Sequence, residues 1–550
     1  MKFQPKKGVS HSMNLASQET ETRGKNTYSF DEFVEKRENL DWYRDEPFLQ
    51  KAVRKFTGSQ FEKLHENILS FSPTVSTEWN QLAERIARPE VRPYMLHYDA
   101  FNHRIDRIVR PMEVHQLERG VFGEGLFSSK MTHWESFVKR MLIHQIGEGG
   151  VTCPLTCTHG LIALLEQFPN EEYPELQEIL QHTKEGVDSE FAIGAQFMSE
   201  IQGGSDLPAN VLEAVLDGKN YRLYGNKFFC SAAHADYSVV TAKISGTDKV
   251  STFIVPAWLP GDKEKEKRNG YEINRIKWKL GTAELPTAEI QYNGALAYPI
   301  GPKDKGIAVA VGIVLTLSRL EIGIACAGFM LRASREASLY SDFRTVFGKK
   351  VNEYPLAASK LKRIEKAAKR TTAGAFSIYD MFLRLEKPLN PGIKSDHPIE
   401  TRKQLFNLRE LILLQKICAT NEGAEILRET ISMFAGHGVM EEFSSLPRIF
   451  RDVVVNEQWE GPRNLLLTQI YRDLQRVADW YSPREFVSSV LKGAHQDSIK
   501  KFSEQLEHLL QSPVLGEVSE ASIEAAAEWD TFCDSFFKSY QEVALKEIEQ

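Results

Sequence analysis

Six cysteines in 550 residues are too few and too scattered for a disulfide framework. Cys153, Cys157, Cys230, Cys326, Cys418 and Cys533 contain no C-x-x-C pair. Cys153 and Cys157 stand one helical turn apart with no neighbours at metal-ligand spacing, so no metal site is expected. This usage fits buried thiols in a reducing compartment, the cytoplasm, or the mitochondrial matrix for a eukaryotic chain. Positive charge is also short. A net charge of −7 excludes an all-over nucleic-acid surface and leaves only a local basic patch open. Between Tyr471 and Gln550, 8 Lys or Arg stand against 15 Asp or Glu, a poor match for a phosphate backbone. No long apolar run is unbroken. The greasiest, Gly306 to Leu331, contains Arg319 and Glu321 and reads as a buried core helix, not a membrane span. The first 26 residues are polar and lack the apolar core of a secretory signal. No internal repeat stands out.

The rest of the composition is ordinary for a soluble globular protein, 42% hydrophobic and 26% charged. At roughly 100–200 residues per domain, the length implies three or four domains or one large layered unit. From Tyr28 to Glu190 the apolar spacing is mostly helical, as in DEFVEKRENL and HWESFVKRMLIHQIG. From Phe191 to Asn293 short runs rich in β-branched and aromatic residues take over: FAIGAQFM, VLEAVL, YRLYGNKFF, YSVVTAKI, VSTFIVPA, YEINRI and TAEIQY. Asp217-Gly218-Lys219-Asn220 between two of them is a hairpin signal. Helical spacing returns from Lys305 to Tyr471 in two long amphipathic segments. The break from Lys387 to His397, with Pro388, Pro391 and Gly392, reads as a loop between antiparallel helices. The expected fold is mainly α with a central antiparallel β domain. Its expected parts are an N-terminal helical domain (1–190), a middle β domain (191–300), a C-terminal helical bundle (301–471) and an acidic helical extension (472–550).

Five segments carry candidate chemistry, and each has a plain structural reading beside it. In FMSEIQGGSDL a strand enters a Gly-rich turn, where Gly203 and Gly204 let the backbone approach a ligand and Ser199 and Ser205 offer hydroxyls. It is equally a surface loop. In GNKFFCSAAHAD, alternation puts Phe229 and Ser231 on one strand face, suited to a flat heterocycle or simply to the core. In FRTVFGKK, Arg344 near Phe347 suits a pyrophosphate or a surface ion pair. Phe434, Ala435, Gly436 and Gly438 form a small-residue helix end, otherwise an ordinary cap. In WEGPRN, Glu460 lies between an indole and a glycine, a loop acid or a carboxylate held for proton transfer.

Taken in order, S-E-x-x-G-G-S-D, G-x-K-x-F-x-S, R-x-x-F-G, A-G-H-G and R-D-x7-E-G resemble the acyl-CoA dehydrogenase superfamily from about Gly149 to Tyr471. CPLTCTHG, KWKLGTAELPTAEIQY and the extended N-terminal region with LHYDAFNHRID resemble its AidB-like, acyl-CoA dehydrogenase 11-like subgroup. The resemblance implies a helical N-domain, a β-barrel-like middle domain and a C-terminal four-helix bundle, with FAD between barrel and bundle. It implies that the Phe197, Met198 and Ser199 backbone and the Ser199 hydroxyl meet the flavin, with Gly204 in the same turn. Phe229 would lie against the ring edge and Ser231 would bond it. Ser205 would contact phosphate or the pantetheine end of the thioester. Arg344 and Phe347 would reach the FAD of a neighbouring subunit, Phe434 and Gly436 would close that site, and Asn464 would lie near the adenine. Arg319 and Gly461 would border the substrate.

Glu460 falls at the family's catalytic-base position. It would take the α-proton of a medium- or long-chain acyl-CoA while the β-hydride passes to flavin N5. The other position used in the family, before the arginine of a Glu-Arg pair, is Ser318-Arg319 here. Two positions depart from the pattern: Pro462 replaces a usual Thr or Ser, and Phe229 replaces a usual Trp. The resemblance further implies a homotetramer, or a homodimer, and an acceptor such as an electron-transfer flavoprotein. Two alternatives remain beside the dehydrogenase: an AidB-like nucleic-acid-associated flavoprotein, which the acidic charge disfavours, and an acyl-CoA-sequestering protein with little turnover.

Overall fold

The computed structural model describes residues 28–385, 388–389 and 397–550. The polar start of the chain and most of the Pro/Gly break before His397 lie outside the described residues. A helical layer comes first: α1 (Asp31–Glu38), α2 (Pro47–Thr57), α3 (Phe61–Thr74), α4 (Asn80–Ile86), α5 (Met112–Gly123), α6 (His133–His144), α7 (Gly149–Gln167) and α8 (Pro174–Lys184). The segment HWESFVKRMLIH forms α6, started by Thr132, whose hydroxyl accepts from the Glu135 amide. One feature of this layer departs from its helical spacing. A hairpin, β1 (Tyr94–Tyr98) and β2 (Arg104–Val109), interrupts it. Asp99 builds the turn, its carboxylate accepting from the Phe101 and His103 amides, a local bond that competes with helix.

Seven strands follow: β3 (Gly194–Phe197), β4 (Glu213–Asp217), β5 (Asn220–Ser231), β6 (Tyr237–Ile244), β7 (Val250–Pro256), β8 (Tyr271–Ile276) and β9 (Thr287–Ile300). The β4–β5 hairpin turns at Gly218, where φ is 63°. The sheet is mixed and not wholly antiparallel: β3 and β4 both run parallel to β6. The crossover from β3 to β6 passes through the whole β4–β5 hairpin, long enough for the parallel connection that a tight turn forbids. Pairings β6–β4, β4–β5, β5–β9, β9–β7 and β7–β6 close a ring, which gives the barrel-like middle unit.

The second helical layer opens with α9 (Gly306–Val309), a π-helical turn at Ala310–Leu315, and α10 (Thr316–Phe343), one continuous rod. It is long and apolar enough to cross a membrane, but 67% of its most apolar window is buried. It packs between α11 (Pro355–Arg384) and α12 (Ile399–Met433), so Arg319 and Glu321, which interrupt the apolar run, are themselves buried. Between α10 and α11 the chain forms a small hairpin, β10 (Thr345–Val346) and β11 (Lys349–Lys350), with Phe347 exposed at its tip. The bundle is completed by α13 (Leu446–Gln458) and α14 (Arg463–Val477). The acidic C-terminal part folds as α15 (Pro483–Val490), α16 (Gln496–Gln511) and α17 (Glu520–Glu549). Helix α17 lies along α11 and α12, burying Trp529, Phe532, Phe536 and Phe537, so its charge faces outward.

Candidate active site

Helix α13 ends at Gln458, and the chain makes a tight turn before α14 starts behind Pro462. Pro462 is the N-cap residue, its φ of −66° within the range its ring fixes, and its carbonyl accepts from the Leu465 and Leu466 amides. Glu460 lies in the turn with φ 59° and Gly461 follows with φ 103°. A β-carbon on Gly461 would lie 3.0 Å from Leu466 Cδ2, so glycine is required both for backbone and for space. The Glu460 carboxylate accepts a 2.7 Å bond from Gln196 Nε2 on β3, and its carbonyl accepts a 2.9 Å bond from Arg319 Nε on α10. Burial raises the Glu460 carboxyl to about 7, only partly offset by Arg319, Lys416 and the Gln196 bond. The same burial draws Arg319 down to about 10.

Two cavities lie near this turn, one lined by Glu460 and the other by Arg319, which holds the Glu460 carbonyl. The first, of about 560 Å³, runs between α7, α10 and α13, with Trp459 and Glu460 at one end. On α10 it follows Ser318, Ile322, Ala325 and Phe329, one helical face spanning about 16 Å at 1.5 Å rise per residue. On α7 it meets Cys153 and Cys157, one helical turn apart. Cys153 and burial push the Cys157 thiol up, so it is a neutral apolar wall. The second cavity, of about 1580 Å³, opens on the other side of Arg319. Its wall passes along the π-helical turn and carries Lys249, Lys305, Arg319 and Arg409. The narrow channel is thus lined by Glu460, and the wider cleft, which also carries Asp248 and Asp304, is lined by Arg319, whose Nε holds the Glu460 carbonyl.

The strand that carries Gln196 runs on through Phe197 and Met198, whose side chains go into the core, to Ser199. This sets Ser199 about 10 Å along the chain from Gln196 by strand rise. A β-carbon on Gly204 would fall 2.2 Å from Ser199 Oγ, so only glycine lets the loop fold over that hydroxyl. The loop is anchored from below by buried Lys227, whose Nζ donates to Met198 O (2.9 Å) and Glu200 Oε1 (2.9 Å). Phe229 and Ser231 are half-buried on β5, and Ser231 Oγ lies 3.2 Å from Thr287 Oγ1, which accepts from Lys279 Nζ. A half-buried ring and nearby hydroxyls fit the flat, polar-edged ring of a flavin. Ser205 is exposed beyond this loop.

The other expected cofactor residues stand elsewhere. Arg344 caps α10 roughly 37 Å along the helix from Arg319 at 1.5 Å per residue. Its guanidinium lies 4.9 Å from the Tyr28 ring, and Phe347 projects nearby with φ 48°. The Phe434 side chain is fully buried, its ring stacked 4.3 Å from Tyr340, so only its backbone is available to a ligand there. Gly436 is exposed, with open space where a side chain would be. Within one chain these four therefore form a second group, remote from Glu460, Ser199 and Phe229. Asn464 is exposed on the first turn of α14, beside the Glu460 turn.

Several residues of the site have no motif. Gln196 bridges Glu460 and Ser318 (3.3 Å to Ser318 Oγ), the two positions the family uses for its base. Lys416 donates from α12 to Glu457 O (2.7 Å) and Gly461 O (2.6 Å). Both stand inside apolar runs, Gln196 as the one polar residue of GAQFM and Lys416 beside Gln415 in LLQKICA, the pattern of a buried polar group with a task.

Residues 33–184 match the adaptive response protein AidB N-terminal domain, 195–295 the acyl-CoA dehydrogenase middle domain and 304–475 the acyl-CoA dehydrogenase C-terminal domain. Acyl-CoA dehydrogenase family member 11 of Caenorhabditis elegans is 28% identical over 451 residues, 78% of this chain and 70% of that protein. Putative acyl-CoA dehydrogenase AidB of Escherichia coli is 27% identical over 405 residues, 71% of this chain and 70% of that protein. The fold is shared with Bd2924 in its apo form (TM-score 0.80, 23% identity, 93% of this chain and 98% of the other). It is also shared with Caenorhabditis elegans ACDH-11 in complex with C11-CoA (TM-score 0.76, 24% identity, 93% and 91%). The chain belongs to the acyl-CoA dehydrogenase family of FAD-dependent oxidoreductases, with an AidB-type N-terminal region.

Proposed function

We propose that this enzyme dehydrogenates medium- or long-chain acyl-CoA with Glu460 as its base. The carrying observation is the position of that carboxylate, in the wall of a narrow channel, tied through Arg319 to a neighbouring cleft, and beside the strand that leads to the Ser199 loop. The channel suits an acyl chain, and Lys249, Lys305 and Arg409 of the cleft suit the phosphates of CoA. The thioester would then lie at the Glu460 turn. FAD, when bound against Ser199, Phe229 and Ser231, supplies the acceptor for the β-hydride. Glu460 takes the α-proton, and its own N–H bonds the thioester oxygen as negative charge develops there. Trp459 and the channel wall exclude water, which keeps the carboxyl near working pH. A second copy of the chain would present Arg344 and Phe347 to this cofactor. The C11-CoA bound to ACDH-11 supports the medium-to-long range.

Anaerobic titration of the holoenzyme with acyl-CoAs of increasing length tests the reading. Medium and long chains are expected to bleach the flavin; no bleaching at any length sinks it, and tight binding without bleaching would favour sequestration. The channel makes a second expectation. Ala325 is buried in its wall about 10 Å along α10 from Ser318. Ala325→Phe should block the distal channel, lowering kcat/KM for long acyl chains at least tenfold more than for short ones. An equal loss at all lengths would place the chain elsewhere.

A further inference from the structure

Glu460 occupies a backbone conformation that disfavours an L side chain, and Gly461 follows in another positive-φ conformation. Two buried cations from different bundle helices meet this turn. Arg319 of α10 holds the Glu460 carbonyl, and Lys416 of α12 holds the Gly461 carbonyl at 2.6 Å. Two successive peptide planes after the carboxylate are therefore fixed from outside the turn. Lys416 is wholly buried and forms no ion pair among the described residues; it gives its donors to main-chain carbonyls. The second of these, Glu457 O at 2.7 Å, belongs to the last turn of α13, where carbonyls lack helical partners and a cation is favourable. One ammonium thus caps the helix before Glu460 and anchors the peptide after it.

We propose that Lys416 is a positioning residue for Glu460: by tying the end of α13 to the Gly461 carbonyl, it fixes the turn that presents the carboxylate to the substrate. The inference rests on reading Glu460 as the base. Lys416 also supplies charge on the acid side of about pH 7, the value to which burial draws its ammonium. The charged and titratable groups facing Glu460 are Arg319 from α10, Lys416 from α12 and Cys157 from α7, with the polar Gln196 from β3. Those facing Lys416 are Glu460, Arg319, Cys326 and Glu457. Without the Lys416 ammonium, Arg319 is the remaining cation facing the carboxylate, which would then hold its proton to higher pH.

The test compares Lys416→Met with wild-type holoenzyme. Loosening the turn should lower kcat by about tenfold or more, with KM for acyl-CoA little changed and flavin content kept. The acid limb of the kcat/KM profile should move to higher pH, and Lys416→Arg, which keeps charge and donors, should restore it. Wild-type kcat and an unmoved limb in Lys416→Met overturn the assignment. Should the methionine variant not fold, Lys416→Gln, neutral but still a donor, carries the same test: its limb must move, and an unmoved limb overturns the proposal. Failure of the underlying reading looks different, because Glu460→Gln would then keep its turnover whatever the Lys416 variants do.

Discussion

In Glu460→Gln, acyl-CoA turnover falls by about 10³-fold or more, while flavin content and acyl-CoA binding stay at the wild-type level. The amide keeps the shape of the carboxylate, and its oxygen still accepts from Gln196. Arg319 and Lys416 hold backbone carbonyls on either side, which the substitution does not touch. Only the proton acceptor is lost, and Ser318 at the alternative position has no basic group. In the wild type, kcat/KM should rise with pH through about 7, the value to which burial lifts this carboxyl. Single-turnover flavin reduction under anaerobic conditions measures both effects, and a loss smaller than tenfold would remove Glu460 from the chemistry. Stability should move the opposite way. The folded carboxyl binds its proton more tightly than the unfolded one, whose ordinary value is 4.5. Its stabilising contribution is therefore fully present below that value and is lost as pH rises through about 7. Glu460→Gln should match the wild type in acid and unfold at a higher temperature at pH 8, the usual exchange of stability for function at a base.

How much of this site was legible in the chain depended on the range of the interaction. The strand runs, the Gly218 hairpin turn and the long helices follow from periodicity and turn chemistry within a few residues. The motif residues Ser199, Gly204, Phe229 and Glu460 fall on two sides of one region because the family pattern had already encoded their order. What local pattern did not carry is direction and partnership. Parallel pairing of β3 with β6 depends on a crossover more than thirty residues long. The β1–β2 hairpin hid inside a helical region because its turn rests on one side chain, Asp99. Phe434 reads as a ligand residue from its motif, but only the fold shows its ring buried against Tyr340. Gln196 and Lys416 reach Glu460 from β3 and α12, so no spacing along the chain connects them.

The largest stability effect is expected under the Ser199 loop, at Lys227. This side chain is 0% exposed, and its Nζ donates to Met198 O, Glu200 Oε1, Asn210 Oδ1 and Thr241 Oγ1. Glu200 accepts in turn from the Val211 and Leu212 amides at 2.7 and 3.1 Å. The pair therefore clips both ends of the loop that carries Ser199, Gly204 and Ser205 to the barrel. Burial draws Lys227 down to about 8 against the pull of Glu200. Lys227→Met removes that partner and leaves a buried carboxylate unpaired, a change that costs about 3–5 kcal/mol in comparable sites. The Met198 carbonyl then keeps only its 3.4 Å bond from Asn210 Nδ2, so the loop slackens at the place proposed for the flavin. The purified variant should unfold at lower denaturant and lose most of its flavin absorbance on gel filtration. Adding Glu200→Gln should recover part of the stability, because the double variant no longer buries a lone charge. Recovery of stability without recovery of flavin would separate the two tasks of the pair, since the neutral glutamine lacks the Met198 tether. A Lys227→Met protein with wild-type unfolding and full flavin would show that the loop is held by its glycines and strand pairing instead.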